Sequence, residues 1–219
     1  MELKNKKIAF LGDSITEGCG VADMENVYWN VIGRQTGAQC FGYGIGGTRI
    51  APQRVITTEN AYETLYFASR VENMIPDADV VVVFGGTNDY GHGDAALGKI
   101  TDRTNDTFYG AYHLLMEKLI ARYPAAQIVL LTPLHRVDDE VRIYNERGIR
   151  LPGPLSLYVQ AIREVAECYG TAVVDLFRDC AIQPNNPVHK ELYCPDGLHP
   201  NDAGHQRLAQ SVLSVLNAL

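Results

Sequence analysis

Short apolar runs alternate along the chain with longer segments in which apolar residues recur at helical spacing. The clearest run extends from Asp79 to Phe84 and contains four consecutive valines. A β-branched run that is apolar at every position is typical of a parallel strand covered by helices on both faces. Shorter runs predict four further strands, at Lys7 to Leu11, Gln39 to Phe41, Ile128 to Leu131 and Ala172 to Leu176.

Helical periodicity fills the intervals between these strands. One helix is predicted to begin near Val27 and to end at Gly33 or Gly37. Three more helices follow from apolar residues spaced three and four apart, within 108–120, 158–169 and 208–216. The alternation predicts an α/β fold in which helices cover both faces of a parallel sheet. In such sheets, ligands bind at the carboxyl ends of the strands.

Length and charge restrict the class of protein further. The 219 residues suit one domain, over residues 1–219, and the formal charge of -7 disfavours nucleic acid and anionic membranes as partners. No run approaches the ~18 apolar residues of a membrane helix. The apolar run at Ile8 to Leu11 is also too short for the core of a signal peptide, so we expect a cytoplasmic protein.

Cysteine and histidine spacing gives no sign of a cofactor. The five cysteines are odd in number and form no Cys-x-x-Cys pair, which disfavours a disulfide framework or a thiolate zinc site. We expect them to be buried, reduced thiols. No His-Glu-x-x-His or similar spacing occurs, so neither a metal nor another cofactor is expected.

Three polar segments stand where nucleophilic chemistry could be placed. Gly12-Asp13-Ser14 follows the first strand, where a serine can point into a crevice or simply cap a helix. Gly85-Gly86-Thr87-Asn88 follows the valine strand, and its asparagine amide could bind an oxyanion or belong to a polar turn. In Asp196-Gly197-Leu198-His199 the carboxylate can reach the imidazole, or the segment is a surface turn.

In this order, on this scaffold, the three segments resemble the SGNH hydrolases, also called the GDSL family. The resemblance extends from Ile8 to about His205, with Ile15 at a position where the family name has leucine. It implies a three-layer α/β/α sandwich, flavodoxin-like, with a central parallel five-stranded sheet. It also implies a Ser14, His199 and Asp196 triad, with an oxyanion hole formed by Ser14, Gly47 and Asn88.

The resemblance leaves two candidates for the glycine of the oxyanion hole. Tyr43-Gly44 stands in a stretch where many members carry an asparagine, so Gly46 is an alternative to Gly47. The spacing Gly42-x-Gly44-x-x-Gly47 also matches a dinucleotide fingerprint and would indicate an NAD-dependent oxidoreductase. That motif follows the second strand, however, and Arg49 to Thr58 makes a poor start for a helix.

The resemblance implies a carboxylic ester hydrolase acting on a small-molecule or oligosaccharide ester. A polar segment at 135–150 is predicted to overhang the crevice and shows no wide apolar face. This favours O-acetyl esters of carbohydrates over the substrates of a lysophospholipase or thioesterase. An acyltransferase would share the same residues, and a non-catalytic binding module would be expected to lack them. Substrate contacts are predicted at Tyr43, Tyr90, His92, His135 and Arg136.

Overall fold

A computed structural model describes residues 2–219 and contains one parallel five-stranded sheet. The strands follow the spatial order β2-β1-β3-β4-β5, and every neighbouring pair is parallel. This is the flavodoxin-like order, in which the chain reverses direction across the sheet between β1 and β3. The predicted fold class is therefore confirmed. The strands are β1 Lys7–Gly12, β2 Gln39–Gly44, β3 Val80–Phe84, β4 Gln127–Leu131 and β5 Ala172–Val174.

Helices occupy the connections between the strands. The four longest are α2 Tyr28–Thr36, α6 Phe108–Arg122, α7 Leu155–Tyr169 and α10 Asp202–Leu216. The shorter ones are α1 Ser14–Glu17, α3 Ala61–Thr64, α4 Phe67–Arg70, α5 Thr87–His92, α8 Leu176–Asp179 and α9 Pro187–Tyr193, with 3-10 turns at Met24–Asn26 and Val71–Asn73.

Two hydrophobic cores lie on opposite faces of the sheet. The core beneath α6 and α7 receives Val81 and Val83, whereas the core beneath α2 and α10 receives Val80 and Val82. All four valines of β3 are completely buried. The continuous apolar run of β3 therefore follows directly from its central position between two covered faces.

Two strands end two or more residues away from their predicted ends. The fifth strand stops at Val174 because the buried side chain of Asp175 caps α8 and binds Arg163 at 2.9 and 3.0 Å. The second strand continues past Phe41 to Gly44, still paired with β1. Glycine at 42 leaves the space that the Trp29 ring occupies. The end of α2 at Gly37, where φ is +74°, agrees with one of the two predicted positions.

None of the helices in residues 2–219 combines the length and the apolar character that crossing a bilayer requires.

Candidate active site

Ser14 stands immediately beyond the carboxyl end of β1, as the first residue of α1. The buried Asp13 side chain caps this helix by accepting the N–H of Ile15 at 3.1 Å. Thr16 packs onto Gly12, where it fills the space that a Cβ would need. These contacts hold Ser14, 6% exposed, beside the point at which the strand order reverses.

Ser14, His199 and Asp196 form a continuous hydrogen-bonded line. Ser14 Oγ lies 3.0 Å from His199 Nε2, and His199 Nδ1 lies 2.6 Å from Asp196 Oδ2. Asp196 Oδ1 accepts the backbone N–H groups of Leu198 and His199 at 2.8 and 2.7 Å. Although burial acts to raise it, these hydrogen bonds hold the pKa of Asp196 below its usual value. An ionised Asp196 favours the tautomer in which Nε2 of His199 can accept a proton from Ser14.

His199 is far from Ser14 in sequence, and contacts at the start of α10 keep it close in space. Asp202 accepts the N–H of Ala22 at 2.8 Å and the amide of Asn26 at 3.0 Å. One turn later, His205 Nδ1 accepts the N–H of Tyr28 at 3.2 Å. The first turn of α10 is therefore bonded to the segment that directly follows α1, and α1 carries Ser14.

The loop after β2 distinguishes the two candidate oxyanion glycines. The N–H of Gly46 already donates to Glu17 Oε2 at 2.9 Å, whereas that of Gly47 has no acceptor within residues 2–219. Asn88 Nδ2 uses one hydrogen on the carbonyl of Thr48, at 3.0 Å, which leaves its second hydrogen free. Ser14, Gly47 and Asn88 line one cavity of about 310 Å³. Of the two candidate glycines, Gly47 is therefore the one whose N–H remains free to bind a ligand.

Helix α5 holds this loop through a buried carboxylate that the sequence analysis did not single out. Asp89 accepts the N–H groups of Ile50 and Ala51 at 3.0 and 2.9 Å. Burial raises the pKa of Asp89 to about 7. Asp89 directly follows Asn88, so one short helix supplies both an amide in the cavity and a support for the loop opposite.

Arg49 is a second residue that the sequence analysis missed. It is 1% exposed, and its Nη1 donates to the carbonyl of Gly47 at 3.1 Å and to His92 Nδ1 at 3.0 Å. Its Nη2 donates to the carbonyl of Tyr62 at 2.8 Å. No periodic pattern marks a buried arginine in an irregular loop, so only its proximity to Gly47 could have suggested it.

Two of the five predicted substrate contacts line the cavity, namely His92 and Arg136. Arg136 is 4% exposed, and it donates to Glu146 Oε1 at 2.7 Å and to the carbonyl of Thr87 at 3.2 Å. The prediction for Tyr90 is wrong. This residue is completely buried, and its hydroxyl donates to the carbonyl of Asp139 at 3.1 Å.

The other two predicted contacts, Tyr43 and His135, lie outside the cavity. The Tyr43 hydroxyl accepts the N–H of Ile75 at 2.9 Å, in a separate hollow beside β2. The His135 ring packs on Phe177 at 3.7 Å between centroids and bonds Asp139 Oδ2 at 2.6 Å. The side chains of His135, Asp139 and Glu140 place potential metal-ligating atoms within 4.8 Å of one another. Asn185 and the N–H of Arg136 also bond the Asp139 carboxylate.

The 135–150 segment overhangs the cavity only in part. Arg136 and Glu146 face it, and the N–H of Val137 donates to Gly197 in the histidine loop at 2.9 Å. The segment nevertheless exposes several apolar side chains. Val141, Ile143 and Tyr144 are 72%, 62% and 57% exposed, and none of them belongs to either core.

The cysteines depart from the expected burial. All five are free thiols, and Cys180 and Cys194 are buried, but Cys19 and Cys168 are exposed. Cys19 lines the cavity beside Ser14. Burial and the neighbouring Glu17 raise the pKa of the Cys19 thiol.

The alternative of an NAD-dependent oxidoreductase requires a helix directly after the glycine motif that ends at Gly47. Residues 45–60, all within the described part of the chain, contain no helix, and the next helix is the four-residue α3. No helix therefore begins directly after these glycines within the described residues, where its N-terminus could receive a pyrophosphate.

A hydrogen-bonded serine, histidine and carboxylate at the carboxyl edge of a parallel sheet is the arrangement of a serine hydrolase. Comparison with known proteins gives the family: the GDSL-like lipase/acylhydrolase model matches residues 10–207. The chain belongs to this family, as its resemblance predicted, and it is a carboxylic ester hydrolase.

Individual relatives agree with this assignment over most of their length. A GDSL lipase of Mycobacterium tuberculosis is 25% identical over 230 residues, which cover 99% of this chain and 84% of that protein. A crystal structure of a protein from Lactobacillus plantarum is 31% identical, with a TM-score of 0.82 over 98% of both chains. An acetyl xylan esterase is 27% identical, with a TM-score of 0.66 over 95% of this chain and 98% of that one.

Proposed function

We propose that this esterase removes short acyl groups, above all O-acetyl groups, from carbohydrates, with Ser14 as nucleophile. The observation that carries the proposal is the continuous line from Ser14 Oγ through His199 to Asp196, at 3.0 and 2.6 Å, beside the unpaired N–H of Gly47. A nucleophile, an oriented base and oxyanion donors around one cavity are the parts that acyl transfer requires.

The reaction proceeds in two acyl transfers. His199 Nε2 takes the proton of Ser14 as Oγ attacks the ester carbonyl, and Asp196 stabilises the imidazolium that forms. The oxyanion lies among the N–H groups of Ser14 and Gly47 and the second amide hydrogen of Asn88. His199 then protonates the departing alcohol. Water, deprotonated by His199, attacks the acyl-enzyme in the same way and releases the acid.

The residues that line the cavity support the proposal of a short acyl group and a polar alcohol. Most side chains that line it are polar, and Leu198 is the largest apolar one among them. His92, Arg136 and Glu146 offer hydrogen-bonding groups on the side of α5 and the 135–150 segment. The similarity to an acetyl xylan esterase adds weight to acetylated sugars as substrates.

A lipid acyl hydrolase is the second candidate, and one observation favours it. Val141, Ile143 and Tyr144 expose apolar surface on the segment that borders the cavity. A lysophospholipase or thioesterase could use such surface to meet an acyl chain. The two candidates differ in acyl length and in the alcohol that is released.

The test is release of acetate from acetylated xylo-oligosaccharides by the wild-type enzyme and by Ser14→Ala. We expect wild type to release acetate and the variant to lose activity by roughly a thousandfold or more, with an unchanged melting temperature. A serine-directed phosphonate should label wild type once, at Ser14. Near-wild-type activity of Ser14→Ala, or labelling at Cys19 instead, would contradict the assignment of the nucleophile.

A further inference from the structure

His92 stands at the junction of two hollows, and the proposed reaction does not use it. It lines the catalytic cavity together with Ser14 and Asn88. It also lines a neighbouring hollow of about 430 Å³, which is bordered by Thr57, Tyr62, Glu63 and Arg147. A substrate group bound by His92 would therefore lie between the ester, in the catalytic cavity, and this second hollow.

The contact with Arg49 fixes the protonation state of the His92 ring. A guanidinium has only N–H donors, so Nδ1 of His92, 3.0 Å from Arg49 Nη1, must be the acceptor. The ring proton is then on Nε2, and the ring is neutral. Burial and the charge of Arg49 lower the pKa of His92 to about 4, with Arg136 and Arg147 acting in the same direction and Glu146 opposing them.

Other hydrogen bonds fix the Arg49 side chain in the position from which it donates to His92. Its guanidinium is buried and is bonded at the same time to the carbonyls of Gly47 and Tyr62. Nε2 of His92 has no acceptor among the residues that the structure describes. Arg49 is thus a positioning residue that leaves His92 with one N–H donor of fixed identity for a ligand.

The place of His92 on α5 indicates which part of a substrate it meets. His92 lies four residues after Asn88, so the two side chains share a helix face at roughly 6 Å between Cβ atoms. An acetyl group has no second acceptor that could reach one helical turn beyond its own carbonyl oxygen. The partner of Nε2–H therefore belongs to the alcohol that the ester releases.

We propose that His92, held by Arg49 as a neutral ring with its proton on Nε2, is a specificity-determining donor for an uncharged ether or hydroxyl oxygen in the alcohol part of the substrate. The choice of the alcohol part rests on the proposed function, in which the acyl group is acetyl. A ring with Nε2 protonated cannot accept a proton there, so His92 acts in binding and His199 remains the base.

The test uses a pair of esters that differ by one atom, 2-methoxyethyl and butyl, in which an ether oxygen replaces a methylene group. Both alcohols carry the acyl group that the enzyme hydrolyses fastest in an aryl ester series, so the test stands even if acetyl is not preferred. The quantity measured is the ratio of kcat/KM for the ether ester to kcat/KM for the butyl ester. For His92→Phe we expect this ratio to fall about tenfold from wild type, because one neutral hydrogen bond is lost.

Two further variants separate binding from packing. His92→Gln keeps both an N–H donor and an acceptor for Arg49, so it should restore most of the ratio. His189→Phe, on α9 and outside the cavity, should leave the ratio at the wild-type value. An unchanged ratio in His92→Phe, or an equal fall in the glutamine variant, would overturn the proposal.

The protonation state has its own measurement. ¹⁵N NMR of the His92 ring should show one neutral tautomer, with Nε2 protonated, from pH 5 to 8. A proton on Nδ1, or a titration of the ring within that range, would refute the hold by Arg49.

Discussion

At the scale of single residues, a hydrogen bond to the backbone fixes the orientation of the Asn88 side chain in the cavity. Its amide nitrogen has two hydrogens, and the carbonyl of Thr48 accepts one at 3.0 Å, which orients the other. The amide is therefore oriented before substrate arrives. Preorganised donors of this kind are effective because they do not need to reorient as charge develops on the oxyanion.

Asn88→Ala should lower kcat by about 10²–10³ and change KM little, because the amide meets its charge only in the transition state. Steady-state kinetics with an aryl acetate measures both constants. Thr132→Val is the matched control: Thr132 is also buried, hydrogen-bonded and at the end of a strand, but outside the cavity. It should reduce the melting temperature without reducing kcat. An Asn88→Ala variant that loses only stability would exclude the oxyanion role.

Residue identities could be predicted only where a motif or a strand end marked them. Ser14, Asn88 and His199 each follow a recognisable segment, and the structure brings all three to one cavity. Tyr90 follows the same strand as Asn88 and lies on the same helix, α5. It is two residues further along that helix, however, and its side chain is buried in the core. Glu17, which occupies the N–H of Gly46, has no sequence pattern that links it to that glycine.

At the scale of elements, α5 holds the loop that carries Gly47, although this helix is only six residues long. Three polar side chains of this helix contact residues 48–51 of the loop: Asn88 bonds Thr48, Asp89 bonds Ile50 and Ala51, and His92 accepts from Arg49. A helix this short has little intrinsic stability in water. Its contacts with the loop and the core must therefore hold it in place.

Asp89 makes this arrangement sensitive to pH. Burial raises its pKa in the folded protein to about 7, well above the ordinary value of 3.8, so the folded state binds the proton more tightly than the unfolded state. The resulting stability is fully present below pH 4 and is lost as the pH rises towards 7 and beyond. The free energy of unfolding of wild type minus that of Asp89→Asn should therefore decrease from pH 5 to pH 8.

Urea denaturation at several pH values measures this difference, in which all other titrating groups cancel. Asp102→Asn is the control with the opposite behaviour. Hydrogen bonds from the N–H of Lys99 and the hydroxyl of Thr107 lower the pKa of Asp102, so its contribution is constant from pH 5 to 8 and is lost only in stronger acid. A difference for Asp89 that rises with pH would refute the buried, protonated carboxyl.

The elements themselves were largely predictable because apolar patterning determines them. Each of the five strands was expected near its observed place, since a sheet buried on both faces needs continuous apolar runs. The short helices α3, α4, α5, α8 and α9 were not predicted. Most hold one or two turns, too few for a 3.6-residue period to appear in the sequence.

At the scale of the whole molecule, distant parts of the chain converge on one edge of the sheet. Asp202 and His205 fasten the last helix to the segment after α1, while Val137 fastens the 135–150 segment to Gly197. The serine, the histidine and the overhanging segment are thereby held together at the carboxyl edge. Such contacts between distant segments have no counterpart in local sequence patterns, so the sequence predicted Ser14 and His199 but not the contacts that hold them together.

The same convergence leaves two kinds of surface near the ester, and they predict different acyl preferences. The cavity itself has polar or small side chains apart from Leu198 and Cys19. The exposed apolar side chains Val141 and Ile143 are not among the residues that line it. A long acyl chain gains about 0.8 kcal/mol for each methylene it buries, but only if an apolar channel receives it.

We therefore expect acetyl and propionyl esters to be hydrolysed with a higher kcat/KM than octanoyl and longer esters. The measurement is kcat/KM across aryl esters of two to twelve carbons, with Ser14→Ala as the blank and the rate of hydroxide hydrolysis as the correction for intrinsic reactivity. After that correction, the values should not rise by the roughly fourfold per methylene that burial of each added group would give. A maximum at eight carbons or beyond, together with no acetate released from any acetylated sugar, would mean that the chain reaches the apolar surface around Val141 and Ile143. That outcome would replace the carbohydrate esterase by the lipid acyl hydrolase.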